Sequence, residues 1–190
     1  MNNINEIAKK KYIEYSKYEG SQHIAKEHSI YRILECIKKN KCESILEVGL
    51  GIGTIYSSVY NYNQKLKYTG TENNDFCLKS LKKNLNESYN HLVVFPNIES
   101  IPKNKKFDLI FIDGDHNKES VMRYFTTCLP FIKDSTILVF DDIYWSEGMT
   151  DSWHEICLHK KVKLSIDIFR MGIVFFRQAN KEKEHFQVWY

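Results

Sequence analysis

The sequence predicts an α/β fold: a doubly wound, mostly parallel sheet of seven strands, with helices on both faces and an antiparallel hairpin strand at its C-terminal end. Three observations carry this expectation. Short apolar runs alternate with amphipathic ones along most of the chain, and strands separated by helices pair in parallel within a covered sheet. Residues 107–112 are apolar on both faces, as a central parallel strand is. The final two strand-like runs, 162–169 and 172–177, are joined by Arg170 and Met171, too short a link for parallel neighbours.

The elements follow in order. Residues 2–17 are polar with scattered Ile and Tyr and read as a leading helix. Residues 23–39 read as a second, with Ile30, Leu34 and Ile37 near the helical period. Residues 43–48 form the first strand and 54–62 the helix after it. A second strand at 67–71 leads through Asn73, Asn74 and Asp75, all capping types, into a helix at 75–85. The third strand, 91–95, is ended by Pro96, and the fourth is 107–112. A helix over 118–131 and a strand over 136–140 come next. Ser146 is a good N-cap for a helix bearing Met149, Trp153, Ile156 and Cys157. With no repeat, low-complexity tract or linker, the chain reads as one domain, residues 1–40 being a helical segment packed on the main body, 41–190.

Composition narrows the function. The 190 residues, 43% of them hydrophobic, are enough for one full core. A net charge of +3, from 27 basic and 24 acidic side chains, is too balanced for a nucleic-acid surface, and the lysines at 9–11 and 103–106 read as solvated. The five cysteines are scattered, without a Cys-x-x-Cys pair, as reduced thiols of a cytoplasmic protein would be. No apolar run reaches the ~18 residues of a membrane span, and the first residues are polar and mixed in charge, unlike a secretory leader.

The most informative run is Ile45-Leu46-Glu47-Val48-Gly49-Leu50-Gly51-Ile52-Gly53-Thr54. Glycines at alternate positions after a strand let a ligand lie against bare backbone. A dinucleotide turn would need Gly or Ala where Thr54 stands, and the Gly-Lys-Ser/Thr ending of a phosphate loop is missing. Glu47 adds an anion that would repel phosphate and suits a cationic ligand. Another tight strand-to-helix turn would use the same residue types. The run resembles the first motif of the class I S-adenosylmethionine-dependent methyltransferases, a Rossmann-like family, and the likeness extends over about residues 42–178. It implies that 41–190 is the cofactor-binding domain. Gly49, Gly51 and Gly53 would pass under the methionine part of the cofactor and Glu47 would meet its amino end.

Strand ends supply further candidates, because ligands of open α/β sheets bind there. Glu72, closing the second strand, matches the family position that accepts hydrogen bonds from the ribose hydroxyls; as a bland alternative it initiates the following helix. Asn97 and Ile98, after the third strand, match in type the residues that read adenine, although an Asn after a Pro is commonly just a turn. The fourth strand closes as Asp113-Gly114-Asp115-His116 and the fifth as Asp141-Asp142. Without a metal, Asp113 would touch the cofactor or the substrate. With Asp141 and Asp142 it resembles the metal site of the catechol-type O-methyltransferases, although that branch has Asp-Asn where this chain has Asp-Asp. Oxygen ligands suit Mg2+ or another hard divalent cation; alternatively Asp141 and Asp142 cap their own loop. His116 is the candidate general base beside Asp113, or else an imidazole ligand to a transition metal or a helix cap. Tyr144, Trp145 and Trp153 would wall a planar substrate, or pack on the core.

The resulting expectation is a methyltransferase acting on an oxygen of a small molecule. The Pro-Pro-aromatic motif of amino-methylating enzymes and the Pro-Cys of cytosine enzymes are both absent after the fourth strand. Two other classes stay open: a non-catalytic binding module of the same fold, and a nicotinamide-dependent oxidoreductase, disfavoured by Thr54 and Glu47. No nucleic-acid or membrane partner is expected. The aromatic run at 186–190 would pack on its own sheet or against a second copy in a homodimer.

Overall fold

A computed structural model of the protein describes residues 3–177 and 182–188. Expectations for Asn2, Gln178, Trp189 and Tyr190 lie outside the described residues. The chain divides into two compact units, Met1–Ser100 and Ile101–Tyr190.

In the first unit, β1 (Ser44–Val48), β2 (Lys67–Thr71) and β3 (Leu92–Phe95) run parallel, with β2 in the middle. Val48 pairs with Thr71, and Thr71 with Phe95. The three strands therefore end level, and the glycine run and Glu72 leave from the same edge. Helices α1 (Ile4–Tyr15) and α2 (Glu27–Asn40) precede β1, while α3 (Thr54–Tyr62) and α4 (Asp75–Leu85) follow β1 and β2. The bounds of α3, β2 and α4 coincide with those the sequence predicts. In α4 the Asn74 side chain accepts from the Cys77 N–H at 3.0 Å, satisfying a backbone donor that the helix start leaves open. Ile30, Ile33, Leu34 and Ile37 form the buried stripe of α2. The predicted helix at 23–39 begins late: Ser21–His23 is a short 3-10 turn after left-handed Gly20, and extended Ile24 breaks the run.

In the second unit, β4 (Leu109–Ile112) and β5 (Ile137–Phe140) are parallel and buried throughout. β7 (Gly172–Phe175) pairs antiparallel with β5 and with β6 (Leu164–Asp167), as the short connection requires. Helix α5 (Lys118–Cys128) stops before Pro130, and a 3-10 turn, Leu129–Phe131, completes the segment predicted as one helix. Helix α6 (Glu147–Leu158) has Ser146 as its N-cap, accepting from the Met149 N–H at 3.2 Å.

One expectation is corrected. The described residues hold eight strands rather than seven, because β8 (Glu184–Gln187) adds to β6 in parallel. All its side chains are exposed, so it lacks the buried face that produces an apolar alternation. It is held by polar bonds instead: Ser165 Oγ to His185 Nδ1 at 2.8 Å, and Gln187 Nε2 donating to Asp167 Oδ2 at 3.1 Å. Trp153 packs on the core, the second of the two readings the sequence allows: it is 1% exposed and its ring lies where a Cβ on Gly172 would stand, 2.3 Å from the nearest ring carbon. No helix among the described residues is long and apolar enough to cross a membrane.

Candidate functional site

The glycine run leaves β1 as a loop fastened to β2: the Gly49 and Leu50 N–H groups both donate to the Thr71 carbonyl, at 3.2 and 3.0 Å. All three of its glycines have left-handed φ, 93° at Gly49, 52° at Gly51 and 93° at Gly53. Gly51 is also pressed against the chain's own backbone, since a Cβ there would lie 2.3 Å from the His23 carbonyl oxygen. Its need for glycine is thus already explained before any ligand arrives.

Glu72 closes over this loop. One carboxylate oxygen accepts from the Gly51 N–H at 2.9 Å, and the other from the Asn73 and Asn74 N–H groups at 2.9 and 2.8 Å. Its side chain is fixed at the end of β2 with acceptor capacity remaining, since each carboxylate oxygen has two lone-pair directions. Glu47 lies 2% exposed at the end of β1 and accepts from the Tyr68 hydroxyl at 2.7 Å. Burial, and then the Glu47 charge, hold the Tyr68 phenol well above its ordinary pKa, so it stays a donor. The Asn97 side-chain oxygen accepts from the Ser100 N–H and hydroxyl at 2.9 and 2.7 Å, and Ile98 is 1% exposed. Asn97 therefore caps its own turn, and Ile98 is covered by the chain itself.

In the second unit the acidic residues gather as the sequence predicts. Burial, and then the charges of Asp141 and Asp142, push the Asp113 carboxyl well above the ordinary carboxylate range. Asp141 bonds locally: its N–H donates to the Ile112 carbonyl at 3.0 Å and its carboxylate accepts from the Asp142 N–H at 3.1 Å. Asp142 takes the left-handed conformation, φ 48°. His116 Nε2 stands 3.9 Å from Asp113 Oδ1, and the imidazole lies against the exposed ring of Trp145, with centroids 5.5 Å apart. His116 does not cap α5; Asn117 does, accepting from the Ser120 N–H at 2.9 Å. Asp115 accepts from the Ser120 and Tyr124 hydroxyls instead. Among the described residues, no group of three or more His, Cys, Asp or Glu side chains is placed to hold a metal ion.

Sequence reasoning missed the supports of both clusters. Tyr144 donates to Asp167, which is 1% exposed, and also accepts from Gln187 Nε2 at 3.3 Å, tying the loop after β5 to β6 and β8. Burial, and then the bond to Asp167, push the Tyr144 phenol up to about 12. In the first unit, His23 supports the glycine loop through its carbonyl, which accepts from the Ile52 N–H at 3.4 Å. A backbone contact of this kind leaves no trace in residue type.

A family model described as a methyltransferase domain matches residues 29–143, more than half of the chain. The chain belongs to this family, within the S-adenosylmethionine-dependent methyltransferase class that the glycine run resembles. No curated protein matches it. Among solved structures, a Staphylococcus aureus protein assigned as a caffeoyl-CoA O-methyltransferase shares the fold with a TM-score of 0.73 at 17% identity, over 92% of this chain and 93% of that one. A Podospora anserina methyltransferase bound to S-adenosylhomocysteine also gives 0.73, at 13% identity, over 90% of this chain and 88% of that one. The O-methyltransferase from Bacillus cereus, likewise in complex with S-adenosylhomocysteine, gives 0.69 at 15% identity, over 90% of each chain. The fold is thus the Rossmann-like α/β class that the sequence predicts.

Proposed function

We propose that this chain transfers the methyl group of S-adenosylmethionine to an oxygen of a small acceptor molecule. The observation that carries the reading is Glu72, held at the end of β2 by three N–H donors and closed over the glycine loop. A fixed acidic acceptor there suits the two hydroxyls of a ribose, and buried Glu47 suits the cationic amino end of the same ligand. The first residue of α3 adds a test of fit: the Thr54 hydroxyl is buried without a partner, a polar demand that a ligand at the loop would meet. Gly49 and Gly53 complete the cofactor set, with Asn97 and Ile98 as residues near the adenine. The two relatives with S-adenosylhomocysteine, the product of such a transfer, share the fold over most of the chain.

When bound, S-adenosylmethionine supplies an electrophilic methyl group and a neutral thioether leaving group. The chain's own residues handle the proton. His116 would take it from the acceptor hydroxyl as the general base. Asp113, beside His116, stabilises the imidazolium once its carboxyl is ionised, which the new positive charge favours. Trp145 offers a face against which a planar acceptor can lie.

A divalent cation at Asp113, Asp141 and Asp142 would have the oxygen donors a hard ion prefers. As they stand, however, these side chains do not form a group placed to hold one. The test is a labelled-methyl assay over phenols, hydroxy acids and sugars, with EDTA or Mg2+. Transfer to an oxygen acceptor that persists in EDTA is expected. Transfer lost in EDTA and restored by Mg2+ would reinstate the metal. Cofactor binding without transfer to any acceptor would favour a non-catalytic module.

A further inference from the structure

The end of α1 and the segment after it lie along the glycine loop. Tyr15, Ile52 and Cys77 form one buried cluster, with Tyr18 and Ile24 packed against it. A Cβ on Gly20 would lie 3.1 Å from Ile52, and the His23 carbonyl meets both Gly51 and the Ile52 N–H. The apolar body of Tyr15 accounts for its place in this cluster, but its hydroxyl does not. That oxygen is fully buried with no hydrogen-bond partner, although Ser57 stands beside it and Glu47 is within electrostatic reach. A buried hydroxyl left unpaired is destabilising, and phenylalanine would avoid that cost with the same packing.

We infer that Tyr15 is a cofactor-binding residue whose hydroxyl donates a hydrogen bond to the carboxylate at the amino-acid end of S-adenosylmethionine. The inference rests on the reading that the glycine loop holds this cofactor. An amino-acid end carries both charges, so its recognition requires an anion and neutral or cationic donors close to one loop. Glu47 is the anion, already engaged by Tyr68 on one oxygen. The donors are the Tyr15 hydroxyl and, at the first position of α3, the Thr54 hydroxyl, both buried and both without a partner. The open N–H groups of the α3 N-terminus favour a negative group in the same place.

Calorimetric titration with two ligands tests this. S-adenosylhomocysteine carries the amino-acid end, and 5′-methylthioadenosine lacks it while keeping the adenosine. In Tyr15→Phe, affinity for S-adenosylhomocysteine should fall about tenfold, while affinity for methylthioadenosine stays within about twofold of wild type. The ligand-free variant should unfold at the wild-type temperature or above it, because the change removes an unpaired hydroxyl. Equal losses for both ligands, no loss for either, or a lowered unfolding temperature would each overturn the inference. Wild-type protein binding neither ligand would instead refute the cofactor reading beneath it.

Discussion

Asp113 shows how much one side chain can reveal. Its raised pKa means that the folded chain keeps a proton the unfolded chain has lost. Stability should therefore fall as pH rises from the ordinary carboxylate range, about 4, through the raised value. Asp113→Asn removes that linkage. Its unfolding temperature should gain on wild type between pH about 4 and neutrality, and parallel curves would contradict the assignment. At Gly51 the sequence points to the right residue for an incomplete reason. Alternate glycines suggest space for a ligand, whereas Gly51 is constrained by φ 52° and by the His23 carbonyl. Gly51→Ala should accordingly lower stability by at least about 1–2 kcal/mol even without ligand, measurable by denaturant titration. Unchanged stability with lost ligand affinity would return the position to a purely ligand-facing role.

Among the elements, legibility tracks burial pattern. β4 and β5 are covered on both faces and announce themselves as apolar runs, and α4 is bracketed by Asn74 and a buried stripe. β8 stays silent because its attachment is polar and long-range, through His185 and Gln187. Tyr15 stays silent for a related reason: a Tyr on a polar helix carries no mark of where its hydroxyl ends up. The acidic strand ends are legible as a cluster, while the bond by which Asp141 accepts from the Asp142 N–H leaves no mark in residue type. Close packing between β7 and α6 is also hidden in sequence. Gly172→Ala would drive a methyl into the Trp153 ring, at an expected cost of about 1–3 kcal/mol from overpacking. Thermal unfolding checks this, and Trp153→Leu should relieve part of the cost by vacating the ring's space.

At the scale of the whole molecule, none of the five cysteines is joined in a disulfide, and four of them are buried. Burial pushes the Cys36 and Cys77 thiols up to about 11, so their reactive thiolates are scarce near neutral pH. Thiol titration at pH about 8 should be slow in the native protein and complete after denaturation. Fold and family need no such chemistry and rest on the alternating strands and the glycine run. Function rests on whether that run holds an adenosine ligand. Calorimetry with S-adenosylhomocysteine, on wild type and on Glu72→Ala, measures this most directly. We predict one-to-one binding by wild type and a loss of at least about tenfold in the variant, as a charged hydrogen-bond acceptor is removed. Equal affinities in the two proteins, or binding of a reduced nicotinamide cofactor and none of S-adenosylhomocysteine, would contradict the account.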